Sequence, residues 1–358
     1  MKFIHKGIGK IREFSFGRKP YDVAERLKLI KRNTSEIIGE DDLKKLLESG
    51  KSITVYHGFE PSGSGLHIGA MIGVNKHLDF QKAGLKIKIL CADLHAFLNK
   101  KGSLSKVEHI AELYREGFRA LGVDLKKGEF VLGTEFQLGP EYFMDVLQLS
   151  LKVSGSRAKR SMSIIAREEK DPPVAQMIYP LMQAVDVKHL KSDIAFGDMP
   201  QRKIHVLMRE NLPSLNYKSP VIIHHEDMVG LNGGKMSSSI PNSRIMIDEE
   251  PSEIRKKIKK AFCPEKETKG NPILQICQHI IFPRQLEINV ERSEKYGGNL
   301  KFSSYDELEK AYSSGKLHPM DLKNSVAENL IKVLEPVRKH MSQKKIIDLK
   351  KLIKEIVE

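Results

Sequence analysis

The 358-residue chain carries 60 Lys and Arg against 46 Asp and Glu, a formal charge of +14 with a pI near 9.4. That length suffices for two domains with cores of their own, and the charge points either to a polyanionic partner or to a well-solvated basic surface. The three cysteines, Cys91, Cys263 and Cys277, form neither a CxxC pair nor a zinc spacing and fit a reducing, cytoplasmic compartment, and no apolar run is long enough to span a membrane.

Residues 1–30 read as a basic arm: Met1 to Pro20 hold several bases, the single acid Glu13 and no continuous apolar core of a secretory signal. A transit peptide is the alternative there. Tyr21 to Gly50 reads as two helical pieces, with Thr34 or Ser35 opening toward Ile37-Ile38 and Asp41-Asp42 opening the next. From Ser52 the pattern alternates. A strand at Ile53–Tyr56 runs into the turn-rich Gly58-Phe59-Glu60-Pro61-Ser62-Gly63-Ser64-Gly65, then a helix from His67 to Ala83 that Gly84 stops. A strand at Ile87–Ala92 precedes a helix over Val107–Leu121, and a short strand follows at Phe130–Gly133. This alternation predicts an α/β fold: a doubly wound parallel, Rossmann-type sheet over residues 31–245. Such sheets bind ligands at strand carboxyl ends near the switch in strand order. Tyr56–Glu60, Asp93–His95 and Glu135–Gln137 all fall at strand ends, around one crevice.

Residues 140–190 are mainly helical and read as an insertion between the sheet's halves. Arg157, Lys159, Arg160 and Arg167 there make a solvated basic face or a nucleic-acid contact. In the helix over Val174–Leu190, Tyr179, Gln183 and Asp186 stand at i, i+4 and i+7 among Ile178, Leu181, Met182 and Val185. Because that helix is apolar on several sides, the polar stripe is expected to line a pocket, where a small polar ligand supplies the partners these groups need.

A helix over Gln201–Leu212 and a strand over Val221–His225 lead to Gly233-Gly234-Lys235-Met236-Ser237-Ser238-Ser239, closed by Pro241. Glycines free the backbone, the lysine offers one mobile charge and the serines small donors, which suits a triphosphate. A surface loop with an incidental lysine is the alternative. Upstream, Leu66-His67-Ile68-Gly69-Ala70 follows a strand and a glycine loop and opens a helix, an anion site because the first helical N–H groups lack partners. No G-x-x-x-x-G-K-[ST] occurs, so it is not a Walker loop. Residues 246–358 read as a mainly helical second domain. Acids from Asp248 to Glu253 open a helix followed by Arg255, Lys256, Lys257, Lys259 and Lys260, a polarity that suits its dipole. Tyr296, between Lys295 and Gly297, is placed to stack on a base, and Asp321 is a helix cap or a base contact. The tail Ser342–Glu358 repeats Ile and Leu at helical spacing and is expected to dock on this second domain.

Both anion stretches, in this order, resemble the two signatures of class I aminoacyl-tRNA synthetases. Gly58-Phe59-Glu60-Pro61-Ser62-Gly63, Ala92-Asp93-Leu94-His95-Ala96, Glu135-Phe136-Gln137-Leu138, Gln201-Arg202-Lys203-Ile204-His205 and His318-Pro319-Met320-Asp321 resemble the tyrosine-specific enzymes of archaeal and eukaryotic type, over roughly residues 30–337. The resemblance implies a ligase that forms tyrosyl-adenylate from tyrosine and ATP, with Mg2+ on the triphosphate, and transfers the tyrosyl group to tRNA(Tyr). It implies catalytic roles for His67, Lys235, Ser237 and Ser238, and ATP contacts at His67, Gly69, Lys235 and Met236. Tyrosine would be held by Tyr56, Gly58, Glu60, Tyr179, Gln183, Asp186 and Gln201, with Tyr56 and Asp186 at its hydroxyl. The tRNA would meet Arg160 and Arg202 at its first base pair, and Tyr296, His318 and Asp321 at a guanine of the anticodon. A homodimer through the helical insertion is also implied, and no resident metal. Where the family motif ends in a second histidine this chain has Ala70, and it carries one residue more before His67. A tryptophan-specific enzyme and a catalytically inactive tRNA-binding relative are the rival readings; an acceptor such as Asp186 beside Tyr56 suits a phenol and argues against the first.

Overall fold

The computed structural model describes residues 21–63, 65–163, 173–234, 236, 240 and 243–356. Arg167, Lys235, Ser237 and Ser238, singled out above, lie outside them, as does the basic arm up to Pro20.

One of two compact units comprises residues 20–65, 76–226 and 344–358 and is organised by a six-stranded sheet. Its strands are β1 (Glu36–Ile38), β2 (Thr54–Phe59), β3 (Lys86–Cys91), β4 (Gly128–Leu132), β5 (Ile194–Asp198) and β6 (Val221–His225), in the order β1-β6-β5-β2-β3-β4. All pairings are parallel except β1 on β6. The chain steps outward from β2 through β3 to β4, returns, and steps outward the other way through β5 and β6. The switch in strand order therefore falls between β2 and β5, where Tyr56 stands opposite Ala195. This is the expected doubly wound α/β sheet, and it puts the ligand-binding edge at the carboxyl ends of β2 and β5.

In chain order the α-helices are α1 (Val23–Lys31), α2 (Glu40–Glu48), α3 (Ala70–Lys82), α4 (Asp93–Leu98), α5 (Leu104–Ala120), α6 (Pro140–Ser150), α7 (Gly155–Met162), α8 (Ala175–His189), α9 (Arg202–Asn211), α10 (Pro251–Lys260), α11 (Pro272–Ile276), α12 (Phe282–Arg284), α13 (Tyr305–Ser313), α14 (Pro319–Met341) and α15 (Lys344–Glu355). Tyr56, Leu90 and Ala195 of the sheet pack with Val146 and Leu149 of α6, Leu181 and Val185 of α8, and Leu207 and Met208 of α9. Helix α8 forms although Pro180 lies inside it. An internal proline costs roughly 3 kcal/mol; burying Leu181, Met182, Val185 and Val187, at about 1.5–3 kcal/mol each, outweighs it.

Several local expectations are corrected. Ile37-Ile38 belong to strand β1 and open no helix: Gly39, at φ +89°, turns the chain left-handed after three residues, and the backbone pairs with β6. Strand β2 runs on to Phe59, three residues past the expected strand end at Tyr56, because its pairing with β3 continues to Cys91. Helix α3 starts at Ala70 and not at His67, since residues 66–68 are committed to backbone pairing: Ile68 N–H donates to Ile245 O (2.9 Å) and Ile247 N–H to Leu66 O (3.2 Å).

In the other unit, residues 66–75 group with 227–343, so the expected boundary at 245 does not mark its edge. It holds α10 to α14 and a two-stranded antiparallel ribbon, β7 (Ile288–Val290) with β8 (Leu300–Phe302). Arg255 on α10 grips Glu328 on α14 with two nitrogens, at 2.6 and 3.0 Å. The tail is also corrected. Helix α15 belongs to the sheet unit, packed along α5, where Lys345 Nζ meets the buried Glu116 carboxylate at 2.8 Å.

Candidate active site

At the carboxyl end of the sheet, α8 presents Asp186 fully buried. Its Oδ1 accepts from Gln137 Nε2 and from Tyr142 Oη, both at 2.7 Å. Its Oδ2 has no partner among the described residues. Burial, set against those two hydrogen bonds, pushes the Asp186 carboxyl up to about 7. His95, also buried, takes a contact from Gln137 Nε2 on Nδ1 (3.3 Å), and its Nε2, 3.8 Å from Asp186 Oδ2, is likewise unpartnered. Burial holds this imidazole near 4, so it is neutral. With Nδ1 accepting, the single ring proton sits on Nε2. Asp186 Oδ2 is thus a spare acceptor and His95 Nε2 a spare donor 3.8 Å away, a pair that one hydroxyl satisfies by donating to the first and accepting from the second.

Tyr56 ends beside them. Its hydroxyl is buried, and both burial and the nearby Asp186 raise its pKa, so it stays protonated. Gly58 is required here: a Cβ on it would lie 2.6 Å from Tyr56 Oη. Gly133 plays the same part opposite, since a Cβ would fall on Gln137 Oε1 and 2.7 Å from Asp93 Oδ1. Asp93 in turn pins the start of α4 to the segment after β4 through the N–H groups of Leu94 (2.9 Å) and Thr134 (3.0 Å).

A second polar group lines the same unit. Tyr179 Oη donates to Glu60 Oε1 at 2.6 Å, and Asn99 Nδ2 donates to both Glu60 oxygens at 3.1 Å. Burial raises the Glu60 carboxyl against these bonds. Gln183 Nε2 donates to Gln201 Oε1 at 2.8 Å. All seven residues expected to hold tyrosine therefore lie in the sheet unit, and hydrogen bonds join Tyr179 to Glu60 and Gln183 to Gln201. Local sequence pattern assigns no role to Asn99 or Tyr142, and it places His95 and Gln137 only at strand ends.

In the other unit, His67 Nδ1 accepts from Gly69 N–H at 3.1 Å, which leaves Nε2 as an N–H donor. Burial, then the charge of Arg244, lowers its pKa to about 4. A Cβ on Gly69 would stand 2.9 Å from the His67 ring and 3.0 Å from Met236 Sδ, so these three expected nucleotide residues do come together. Among the described residues no cluster of three His, Cys, Asp or Glu could hold a metal.

Arg160 is exposed on α7, whereas Arg202, at the start of α9, forms a two-point ion pair with Glu36 at 2.8 Å. Tyr296 is 64% exposed with Lys295 Nζ 5.6 Å from its ring centre. His318 caps α14, its Nδ1 accepting from Met320 N–H, so the capping alternative for Asp321 falls away: it stands in the first turn.

A family model described as tRNA synthetases class I (W and Y) matches residues 48–335. Tyrosine–tRNA ligases of Methanopyrus kandleri and Methanosarcina mazei are 48% and 50% identical, covering 90% and 88% of this chain and 99% of each relative. The crystal structure of a tyrosyl-tRNA synthetase with L-tyrosine from Archaeoglobus fulgidus is similar at a TM-score of 0.87 and 45% identity, over 90% of this chain and all of that one. A tryptophanyl-tRNA synthetase from Aeropyrum pernix shares the fold at a TM-score of 0.68 and 23% identity, over 88% and 85% of the two chains.

Proposed function

The chain belongs to the class I tRNA synthetases that serve tryptophan and tyrosine and acts as a tyrosine–tRNA ligase, and we propose that the half-satisfied carboxylate of Asp186 is what selects tyrosine. The observation that carries this reading is the buried pair of unpartnered atoms, Asp186 Oδ2 and His95 Nε2, 3.8 Å apart. A phenol hydroxyl donates to the first and accepts from the second; an indole has no hydroxyl to place there. Tyr56 supplies a further hydroxyl at the same end. At the other end Tyr179, Gln183 and Gln201 take the ammonium group, with Glu60 holding the Tyr179 phenol in place.

In the first step a tyrosine carboxylate oxygen bonds to the α-phosphorus of ATP while the bond to the bridging oxygen breaks, giving tyrosyl-adenylate and pyrophosphate. In the second, a hydroxyl of the 3′-terminal ribose of tRNA attacks the tyrosyl carbonyl and AMP leaves. The substrate is its own nucleophile, so the protein's work is positioning and charge stabilisation. The N–H of His67 Nε2 and the Lys235 ammonium stabilise the leaving pyrophosphate, Ser237 and Ser238 add donors, and Gly69 and Met236 admit the adenosine. Mg2+ arrives with the triphosphate as part of the substrate.

Arg160 and Arg202 meet the acceptor end of tRNA(Tyr); Tyr296, His318 and Asp321 meet the anticodon. Homodimerisation is proposed through α6, where Phe143, Met144 and Leu147 are exposed together with neighbouring Leu138 and Leu151. No described helix is long and apolar enough to cross a membrane, and three unpaired cysteines support the cytoplasm as its compartment. Tyrosine-dependent ATP–pyrophosphate exchange by the purified protein tests the reading; exchange driven by tryptophan instead, or by neither, overturns it.

A further inference from the structure

A row of buried hydrogen bonds runs from Gln183 to the surface of the sheet unit. Gln183 Nε2 lies 3.4 Å from His205 Nε2; His205 Nδ1 lies 3.0 Å from His224 Nε2; His224 Nδ1 lies 3.1 Å from Glu36 Oε2. The two imidazoles are fully buried and stacked, 5.1 Å between centres and 15° from parallel. Glu36 closes the row, held ionised by Arg202 at 2.8 Å.

The direction of every proton in this row follows from its end. An ionised carboxylate only accepts, so His224 Nδ1 must carry hydrogen. Burial disfavours the charged imidazole, so His224 Nε2 is bare and accepts from His205 Nδ1. His205, neutral for the same reason, is then bare at Nε2 and accepts from Gln183 Nε2. With one amide hydrogen turned to His205 and the other to Gln201 Oε1, Gln183 has only its carbonyl oxygen left for a ligand. Reversed, the amide would present an NH2 group to an ammonium, which has no lone pair to receive it.

We propose that Glu36, His224 and His205 are positioning residues for tyrosine recognition, fixing the Gln183 amide with its oxygen toward the substrate ammonium. This rests on the reading that Gln183 meets that ammonium. Its signature is specific: the row governs the amino group of the substrate and leaves the phenol end alone.

The experiment compares equilibrium Kd values of the full-length protein for tyrosine and for 3-(4-hydroxyphenyl)propionate, which lacks only the amino group. The ratio of the two is the amino-group penalty. In His205→Leu the penalty is expected to shrink by roughly tenfold, the scale of one lost charged hydrogen bond, with the analogue's Kd within about twofold of the parent's. Glu36→Met, at a partly exposed site, is expected to shrink it in the same direction. Equal weakening of both ligands, or an unchanged penalty in Glu36→Met, overturns the proposal. Gln183→Leu separates the two layers. If it keeps the full penalty, the reading of Gln183 itself is wrong; if it loses the penalty while His205→Leu keeps it, the positioning row alone is wrong.

Discussion

Tyr142 donates its hydroxyl hydrogen to Asp186 Oδ1 at 2.7 Å, while Oδ2 of the same buried carboxylate is left without a partner among the described residues. A buried acceptor left unmade costs roughly 1–3 kcal/mol. The free protein therefore holds a polar group that a ligand must complete, and discrimination follows: a ligand lacking the hydroxyl gains no bond and still covers the acceptor.

The same carboxylate makes stability depend on pH in an unusual direction. Burial lifts Asp186 from 3.8 to about 7 in the folded protein. Between those values the folded state holds a proton that the unfolded chain has released, so stability falls as pH rises through that window. Asp186→Asn removes the titration. Thermal unfolding of the ligand-free variant and parent should give similar Tm values near pH 4, with the variant more stable at pH 8 by an amount on the order of 1 kcal/mol or more. A gap that is the same at both pH values contradicts this.

Two glycines separate the substrates. Gly133→Ala presses a methyl onto Gln137 and Asp93, and Gly69→Ala presses one onto the His67 ring and Met236. Gly133→Ala is expected to raise KM for tyrosine about tenfold or more and Gly69→Ala to do so for ATP, each with a smaller change for the other substrate. Steady-state exchange kinetics read both.

Asp321→Ala should slow charging of tRNA while leaving exchange with tyrosine intact, since α14 lies in the helical unit. A good base contact discriminates by roughly 1–3 kcal/mol. Aminoacylation of transcripts with each base at the first anticodon position checks it: the variant should lose most of its preference for guanine.

Phe143→Glu with Leu147→Glu places two carboxylates on an exposed apolar stretch of α6. The parent is expected to sediment as a dimer and the double variant as a monomer, read by analytical ultracentrifugation.

The central strands of the sheet were legible because largely buried strands are short apolar runs, and the stripe of Tyr179, Gln183 and Asp186 was legible because helical spacing alone puts them together. What escaped depends on distant pairings. Strand β1 has three residues, and its partner β6 lies far along the chain, with 188 positions from Glu36 to His224. Gln137 is 49 positions from Asp186 and Tyr142 is 44, so neither could be tied to it by local pattern. The apolar face of α15 announces that something covers it but not what, and a helix of the sheet unit does.

The most direct measurement is the ratio of kcat/KM for activation of tyrosine and phenylalanine, taken for the parent and for Asp186→Ala. The parent should prefer tyrosine strongly, and Asp186→Ala should cut that ratio by about tenfold or more, the worth of one buried acceptor. An unchanged ratio in Asp186→Ala would contradict the account.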